Sequence, residues 1–305
     1  MPRLSRQVKE IIKTSIVVLA IALIVFFYWV YPLNRAKAMW GRTDLDSYNP
    51  DSLMARPNDP SAFASDGFTI DTFRVEADGS TNLAAVRIRR GDMATPRGTI
   101  VLLHTEKSDR SSTVNLARLM TDSGFIAVVY DQRASGLSSG KYHSDGRMEG
   151  TDLELVVAHL GLHDQLVSPL VVVGWNVGAD AALLAQADEK RISAVLAIEP
   201  YLSTTAFIDS YQAQYDSWRF PFWRTLLWFW LNARSSYGLD YNNGSALAVA
   251  GPTIIQADGE HLNATELRGL VAKSGSNLTI APIETDLNKI VLSIVELASK
   301  TNKSQ

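Results

Sequence analysis

The chain contains no cysteine. Disulfides and thiolate metal sites are therefore excluded, and the absence is compatible with an extracytoplasmic location. A basic excess is also missing. The formal net charge is −3, whereas nucleic-acid binding calls for a basic face. No phosphate loop or dinucleotide fingerprint occurs, so no cofactor is implied. Histidine is scarce: His104, His143, His159, His163 and His261 are the five, with none beyond His261. His159 and His163 stand four apart, but the glutamate of an H-E-x-x-H site is absent and Gly161 lies between them. They read as a surface pair at a helix end rather than as zinc ligands, and no metal site is expected. Nor is there a disorder signature. At 46% hydrophobic and 20% charged the composition is globular, and 305 residues hold one large α/β domain plus extra segments.

One long apolar run is present. Residues 11–31 carry a single charge, Lys13, and from Ser15 to Tyr31 the run is long enough to cross about 30 Å of hydrocarbon as a helix. Phe26, Phe27, Tyr28, Trp29 and Tyr31 gather at one end, where an aromatic belt would sit. Arg3, Arg6, Lys9 and Lys13 precede the span, against Glu10, and Arg35, Lys37 and Arg42 follow it. The bias predicts a cytoplasmic N-terminus and a globular part outside. A cleaved signal peptide competes, because Ala36-Lys37-Ala38 fits a small-x-small site. The length of the run and the basic residues near that site favour an uncleaved anchor. Residues 1–10 form a short basic lead. Residues 32–66, rich in Asp, Asn, Ser and Pro, read as a linker or extended arm.

From residue 67 to 300 the pattern becomes regular. Phe68–Val75 and Leu83–Arg89 alternate around Ala77-Asp78-Gly79-Ser80, a hairpin signal. Strands are predicted at Thr99–His104, Phe125–Tyr130, 171–173, Ala194–Ile198, Thr253–Gln256 and Leu278–Ala281. Helices are predicted at Val114–Ser123, Glu149–Leu160, after Gly178, and from Asp286 to Ser299. Strands alternating with helices indicate a mostly parallel sheet covered on both faces, an α/β architecture. Residues 301–305 are a tail.

Val171-Val172-Val173-Gly174-Trp175-Asn176-Val177-Gly178 runs a β-branched strand into a Gly-x-x-x-Gly turn and an alanine-rich helix. It has the form of the G-x-S-x-G nucleophile elbow, with Asn176 in the raised position. Asp131-Gln132-Arg133-Ala134-Ser135-Gly136-Leu137-Ser138-Ser139-Gly140 is close to a second turn, D-x-R-G-x-G-x-S-x-G, with Ala134 in place of the first inner glycine. With these motifs in this order, the segment from Phe68 to Ser299 resembles the α/β-hydrolase superfamily, particularly its membrane-anchored esterase- and peptidase-like members. The resemblance implies the order nucleophile, acid, histidine, and each slot departs from it. A carboxamide at Asn176 cannot attack a carbonyl as Ser, Cys or Asp can. The oxyanion loop reads His104-Thr105-Glu106, and the Glu106 carboxylate has the wrong sign for an oxyanion hole. Asp258 or Glu260 occupies the acid slot. The loop expected to carry histidine reads Pro282-Ile283-Glu284-Thr285-Asp286, leaving Thr285 and Asp286 there. Without imidazole the usual proton relay is lost. Structural roles follow: Asp286 as a helix N-cap, Asp131 and Arg133 as holders of their turn, and Asn176 hydrogen-bonded within the elbow.

Between about 201 and 247 the alternation breaks, where the family inserts a cap. This stretch holds Trp218, Phe220, Phe222, Trp223, Trp228, Phe229 and Trp230. A cap packed on the body, an interfacial helix on the membrane and a protein-docking face all suit such residues. The sequence thus reads as a membrane-tethered α/β-hydrolase-fold protein without catalysis, an accessory or scaffold subunit of a membrane protein complex. Two other readings stand beside it. One is an active serine esterase or peptidase with an unorthodox nucleophile such as Ser135 or Ser138; the other is an apolar-ligand-binding module.

Overall fold

Val101, Leu103, Val172 and Val195 turn to one face of a sheet, and Ile100, Leu102, Val171, Val173 and Leu196 turn to the other. Side chains alternate along a strand, so a strand covered on both sides reads as an unbroken apolar run. This is why Thr99–Leu103, Ile126–Tyr130 and Leu170–Trp175 lack the polar alternation of Thr69–Glu76. The computed structural model describes residues 5–42, 66–215, 223–235, 251–257 and 277–302.

The described strands are β1 (Phe68–Asp78), β2 (Thr81–Arg90), β3 (Thr99–Leu103), β4 (Ile126–Tyr130), β5 (Leu170–Trp175), β6 (Ile192–Ile198), β7 (Thr253–Gln256) and β8 (Leu278–Ala281). Their order in the sheet is β1-β2-β4-β3-β5-β6-β7-β8. The hairpin β1–β2 is antiparallel, as is β2 on β4, and the pairings from β4 to β8 are parallel. The hairpin turns at Gly79 and Ser80, where Asp78 Oδ1 accepts from both the N–H and the hydroxyl of Ser80 at 2.9 and 2.8 Å. Asp, Gly and Ser are the residues such a turn selects.

Helices α3 (Val114–Asp122), α4 (Arg147–Leu162), α5 (Val177–Asp188), α6 (Thr204–Tyr215) and α8 (Leu287–Asn302) follow in chain order. A further helix, α7 (Trp223–Ser235), falls between α6 and β7. One sheet face packs on α4 and α5 through Leu153, Val156, Val157, Ala179, Ala182 and Leu183. The other packs on α3 and α8 through Leu116, Met120, Ile290, Ile294 and Leu297. Each buried Leu, Ile or Val contributes about 1.5–3 kcal/mol, so the two layers hold the sheet rigid beneath its loops. Asp286 Oδ1 accepts from Asn288 N–H at 2.9 Å, the N-cap expected for α8.

The chain divides into two units. One comprises Arg42–Ser210 and Asp240–Gln305, and the other Met1–Gly41 and Tyr211–Leu239. In the second unit a continuous helix runs from Arg6 to Trp40, with mean hydropathy 2.5 in its most apolar stretch, only 6% of which is buried. By length and composition it can cross a membrane. It comprises α1 (Arg6–Val25), a π turn (Phe26–Val30) and α2 (Tyr31–Trp40). The π turn precedes Pro32, which has no N–H for the helical ladder. Tyr31 N–H donates instead to Phe26 O, five residues back, so the helix passes the proline without breaking. The helix thus continues through Trp40 into the stretch read from sequence as linker. Pro and polar residues suggest a linker, but Pro32, Ala36, Met39 and Trp40 form a buried stripe on α2.

The segment read as one cap is divided between the units. Tyr201 to Ser210 belongs with the sheet, whereas α7 packs on α2 and the π turn. Of its aromatics, Trp223 is buried, Phe229 is half exposed, and Trp230 meets Trp29 edge-on with ring centroids 5.7 Å apart. Trp218, Phe220 and Phe222 lie outside the described residues, and the same holds for the side chain of Trp228.

Candidate active site

Among the described residues, six other than glycine hold a positive φ, and five of them lie just beyond the carboxyl ends of parallel strands. Lys107 (57°) follows β3, Ala134 (55°) follows β4, Asn176 (50°) follows β5, and Glu199 (51°) and Leu202 (64°) follow β6. Such conformations cost energy and collect where a site must be pre-organised. In open α/β sheets that edge is also where ligands bind.

The elbow is formed. Asn176 sits at φ 50°, ψ −114° between β5 and the first turn of α5. Its glycines are required by close approach: a Cβ on Gly178 would lie 2.6 Å from His104 O, and one on Gly174 would strike Gly178 O. The strand-to-helix turn is therefore pressed against the end of β3, which brings Thr105 and Glu106 to Asn176. Thr105 Oγ1 lies 2.9 Å from both Asn176 Oδ1 and Glu106 Oε2, so one hydroxyl proton serves two acceptors. Asn176 Nδ2 donates to Glu199 O at 3.3 Å.

Tyr201 completes the cluster, and nothing local in the sequence pointed to it. Its hydroxyl donates to Glu106 Oε1 at 2.5 Å. Burial, with the Glu106 charge beside it, pushes the phenol's pKa well up, so it remains a donor. The Tyr201 backbone is pinned by Asp180, a buried acid in the first turn of α5, whose Oδ2 and Oδ1 accept from Tyr201 N–H at 3.1 Å and Leu202 N–H at 3.0 Å. Thr105, Glu106, Asn176, Glu199 and Tyr201 are all partly exposed, so solvent can reach them.

The second turn behaves as expected of a structural element. Asp131 accepts from Arg110 N–H at 2.9 Å and from Leu137 N–H at 2.8 Å. Arg133 makes a two-point pair with Asp152, Nε to Oδ2 at 2.7 Å and Nη2 to Oδ1 at 2.5 Å. Ser138 is committed to the scaffold, donating to Asp131 O at 2.5 Å and accepting from Ala84 N–H at 2.8 Å. Ser135 differs. Its Oγ lies 3.4 Å from His143 Nε2, a contact between two loop residues eight apart. A serine followed eight residues later by histidine in one loop was the available signal. Both are buried, and burial pushes the His143 imidazole down to about 3, aided by Lys107, His104 and Arg133. His104 is structural: Nδ1 bonds Thr105 O at 2.7 Å and Nε2 accepts from Gln132 N–H at 3.0 Å.

Of the other sequence candidates, Thr285 and Asp286 are exposed, and Asp286 caps α8. Asp258 and Glu260 lie outside the described residues. His159 stacks on Phe73 with centroids 4.8 Å apart, and its ring centroid lies 4.3 Å from that of His163.

No family model and no curated protein matches the sequence. Solved structures share the fold. An esterase from Pyrococcus furiosus is 19% identical over 84% of this chain and 92% of its own, with TM-score 0.56. An α/β hydrolase from a Penicillium species is 12% identical over 77% and 98%, with TM-score 0.56. A lidless serine hydrolase from Xanthomonas campestris is 15% identical over 76% and 94%, with TM-score 0.50. These neighbours, an esterase and a serine hydrolase among them, overturn the expectation of a non-enzyme. The physical weakness of that expectation was its premise that proton transfer needs imidazole at the usual place. Glu106 is more than a misplaced charge in an oxyanion hole, since two hydroxyls hold its carboxylate beside the elbow. By its sheet order, its elbow and these neighbours, the chain has the fold of the α/β hydrolases.

Proposed function

We propose that this protein is a membrane-tethered hydrolase of carboxylic esters in which water, activated by Glu106, is the nucleophile. The observation that carries the reading is the Glu106 carboxylate, held by the Thr105 and Tyr201 hydroxyls beside the strained Asn176 elbow. Glu106 takes a proton from water as the water oxygen bonds the acyl carbon. The N–H groups of Val177 and Gly178, which open α5 and have no partner within the helix, are the donors this reading assigns to the negative charge that develops on the carbonyl oxygen. The remaining Nδ2 hydrogen of Asn176 adds a donor. When the ester C–O bond breaks, Glu106 returns its proton to the departing alkoxide, giving acid and alcohol. Tyr201 keeps its own proton throughout and orients the base.

A second reading rests on the Ser135–His143 contact at 3.4 Å. There Ser135 is the nucleophile and neutral His143 its base. The full enclosure of Ser135 weighs against it, since an acyl carbon must reach Oγ.

The α1–α2 helix serves as an uncleaved anchor in a bacterial inner membrane, with Arg6, Lys9 and Lys13 on the cytoplasmic side and the catalytic body outside. The tether also raises the effective concentration for partner subunits in that membrane.

The test is hydrolysis of p-nitrophenyl acetate by the full chain in detergent, with a serine-directed fluorophosphonate as a parallel probe. Turnover that Glu106→Gln abolishes, without fluorophosphonate labelling, supports the water mechanism. Labelling at Ser135 establishes the second reading. Turnover unaffected by Glu106→Gln sinks the first.

A further inference from the structure

Helix α7 carries seven large apolar residues in thirteen positions: Trp223, Leu226, Leu227, Trp228, Phe229, Trp230 and Leu231. Trp223, Leu227 and Leu231 recur every fourth residue and are buried, which accounts for one face. Leu226, Phe229 and Trp230 lie off that face. Phe229 is 51% exposed, and Leu226 and Trp230 are partly exposed. An ordinary amphipathic helix would carry polar residues there.

The surroundings of this second face are those of the anchor. Trp230 meets Trp29 edge-on at 5.7 Å and Phe229 at 5.4 Å. Trp29 is itself 58% exposed and Phe26 46%. Both belong to the π turn that ends the apolar span, where an aromatic belt sits at headgroup depth. With the span in a bilayer, this contact brings α7 to the same depth. The charge is consistent. Arg35 and Lys37 on α2 and Arg224 and Arg234 on α7 are the only charged residues of the two helices, so both carry cations and no acid. Arg35 stacks over Tyr31 at 5.3 Å.

We infer that α7 and the segment Phe26–Trp40 form one two-helix interfacial foot. Phe229, Trp230 and Trp29 enter the outer edge of the hydrocarbon, and the basic residues meet anionic lipid headgroups. Stacking on the anchor commits the occupant of this face to lipid, since the apolar surface of α7 continues that of the span. The foot thus meets the bilayer through two elements of one unit rather than through the span alone. The inference rests on the anchor reading above.

The chain has no cysteine, so single labels can be introduced cleanly. Leu19→Cys, Phe229→Cys and Leu162→Cys, at positions exposed in the structure, are each labelled with bimane in the full chain. They are reconstituted in phosphatidylcholine–phosphatidylglycerol vesicles. Leu19 reports the span, Phe229 the foot and Leu162 the body. Nitroxide-bearing lipids should quench bimane at 19 and 229 at least about threefold more than at 162, and iodide should do the reverse. Lipid quenching at 19 with aqueous quenching at 229 overturns the foot while leaving the anchor. Shielding of 229 from both quenchers means that protein covers it, and equally overturns the foot. No lipid quenching at 19 overturns the anchor itself.

Discussion

The Tyr201 phenol donates a 2.5 Å hydrogen bond to Glu106 across a sequence separation of 95 residues. The two ends of this bond are fixed by separate parts of the fold. Glu106 follows β3, and Tyr201 is set beyond β6 by the Asp180 carboxylate under its backbone. The Glu106 carboxylate is thereby held with one oxygen on Tyr201 and the other on Thr105.

If Glu106 is the base, Glu106→Gln lowers kcat/KM for ester hydrolysis by about 10²–10⁴-fold. Tyr201→Phe removes only an orienting hydrogen bond to a charged group and costs about 10–100-fold. Steady-state kinetics together with thermal unfolding separates these effects from loss of fold. Equal effects of the two substitutions would contradict the division of roles.

Asn176 bears backbone strain that glycine would not feel. Asn176→Gly should leave stability within about 1 kcal/mol, strain relief offsetting two lost side-chain hydrogen bonds. Asn176→Val places a β-branched residue at the same φ and should cost about 2 kcal/mol or more. Denaturant midpoints of the two variants give the comparison.

Gly178→Ala should be more damaging than an ordinary surface change. The new methyl group meets His104 O and Leu103 Cβ at 2.6 and 2.8 Å, within the end of a buried strand. Overpacking of this kind costs about 1–3 kcal/mol. It should also displace Thr105 from Asn176, so activity should fall further than stability does.

Arg133→Met leaves Asp152 buried without its two-point partner. Burial already lifts the Asp152 carboxyl to about 6. Stranding one member of a buried pair typically costs about 3–5 kcal/mol, measurable as a lowered urea midpoint.

His143 gives the chain an acid-sensitive term. Burial pushes its imidazole down to about 3 from the ordinary 6.5, so below pH 6.5 the unfolded chain takes up a proton that the folded chain refuses. The contribution of His143 is therefore complete above pH 6.5 and is lost as pH falls toward 3, at up to about 1.4 kcal/mol per pH unit. Asp145 and Asp152, both raised by burial, act in the opposite sense. Comparing wild type with His143→Gln isolates the histidine: stability between pH 7 and 4 should fall less steeply in the variant. Parallel curves would show that His143 is protonated in the folded state.

Much of the body was legible because its signals are local. An unbroken run such as Ile126–Tyr130 records a strand covered on both faces, and β7 and β8 fall at the expected residues. Gly174 and Gly178 marked the elbow because a close approach admits only glycine. The active-site reading was less secure. The slots of one relay, taken alone, show only a missing nucleophile and a missing imidazole. Tyr201 and His143 become visible only once loops separated in sequence share one sheet edge.

By itself the sequence determined the alternation of strands and helices, the apolar span and the position of the elbow, since each is written in spacing along neighbouring residues. Tertiary structure decided what stands beside what. It paired Glu106 with Tyr201 and Ser135 with His143, and it set α7 against α2 and the π turn. The physical reason is that periodicity specifies which face of an element is buried, whereas the partner it is buried against follows only from closing the whole chain.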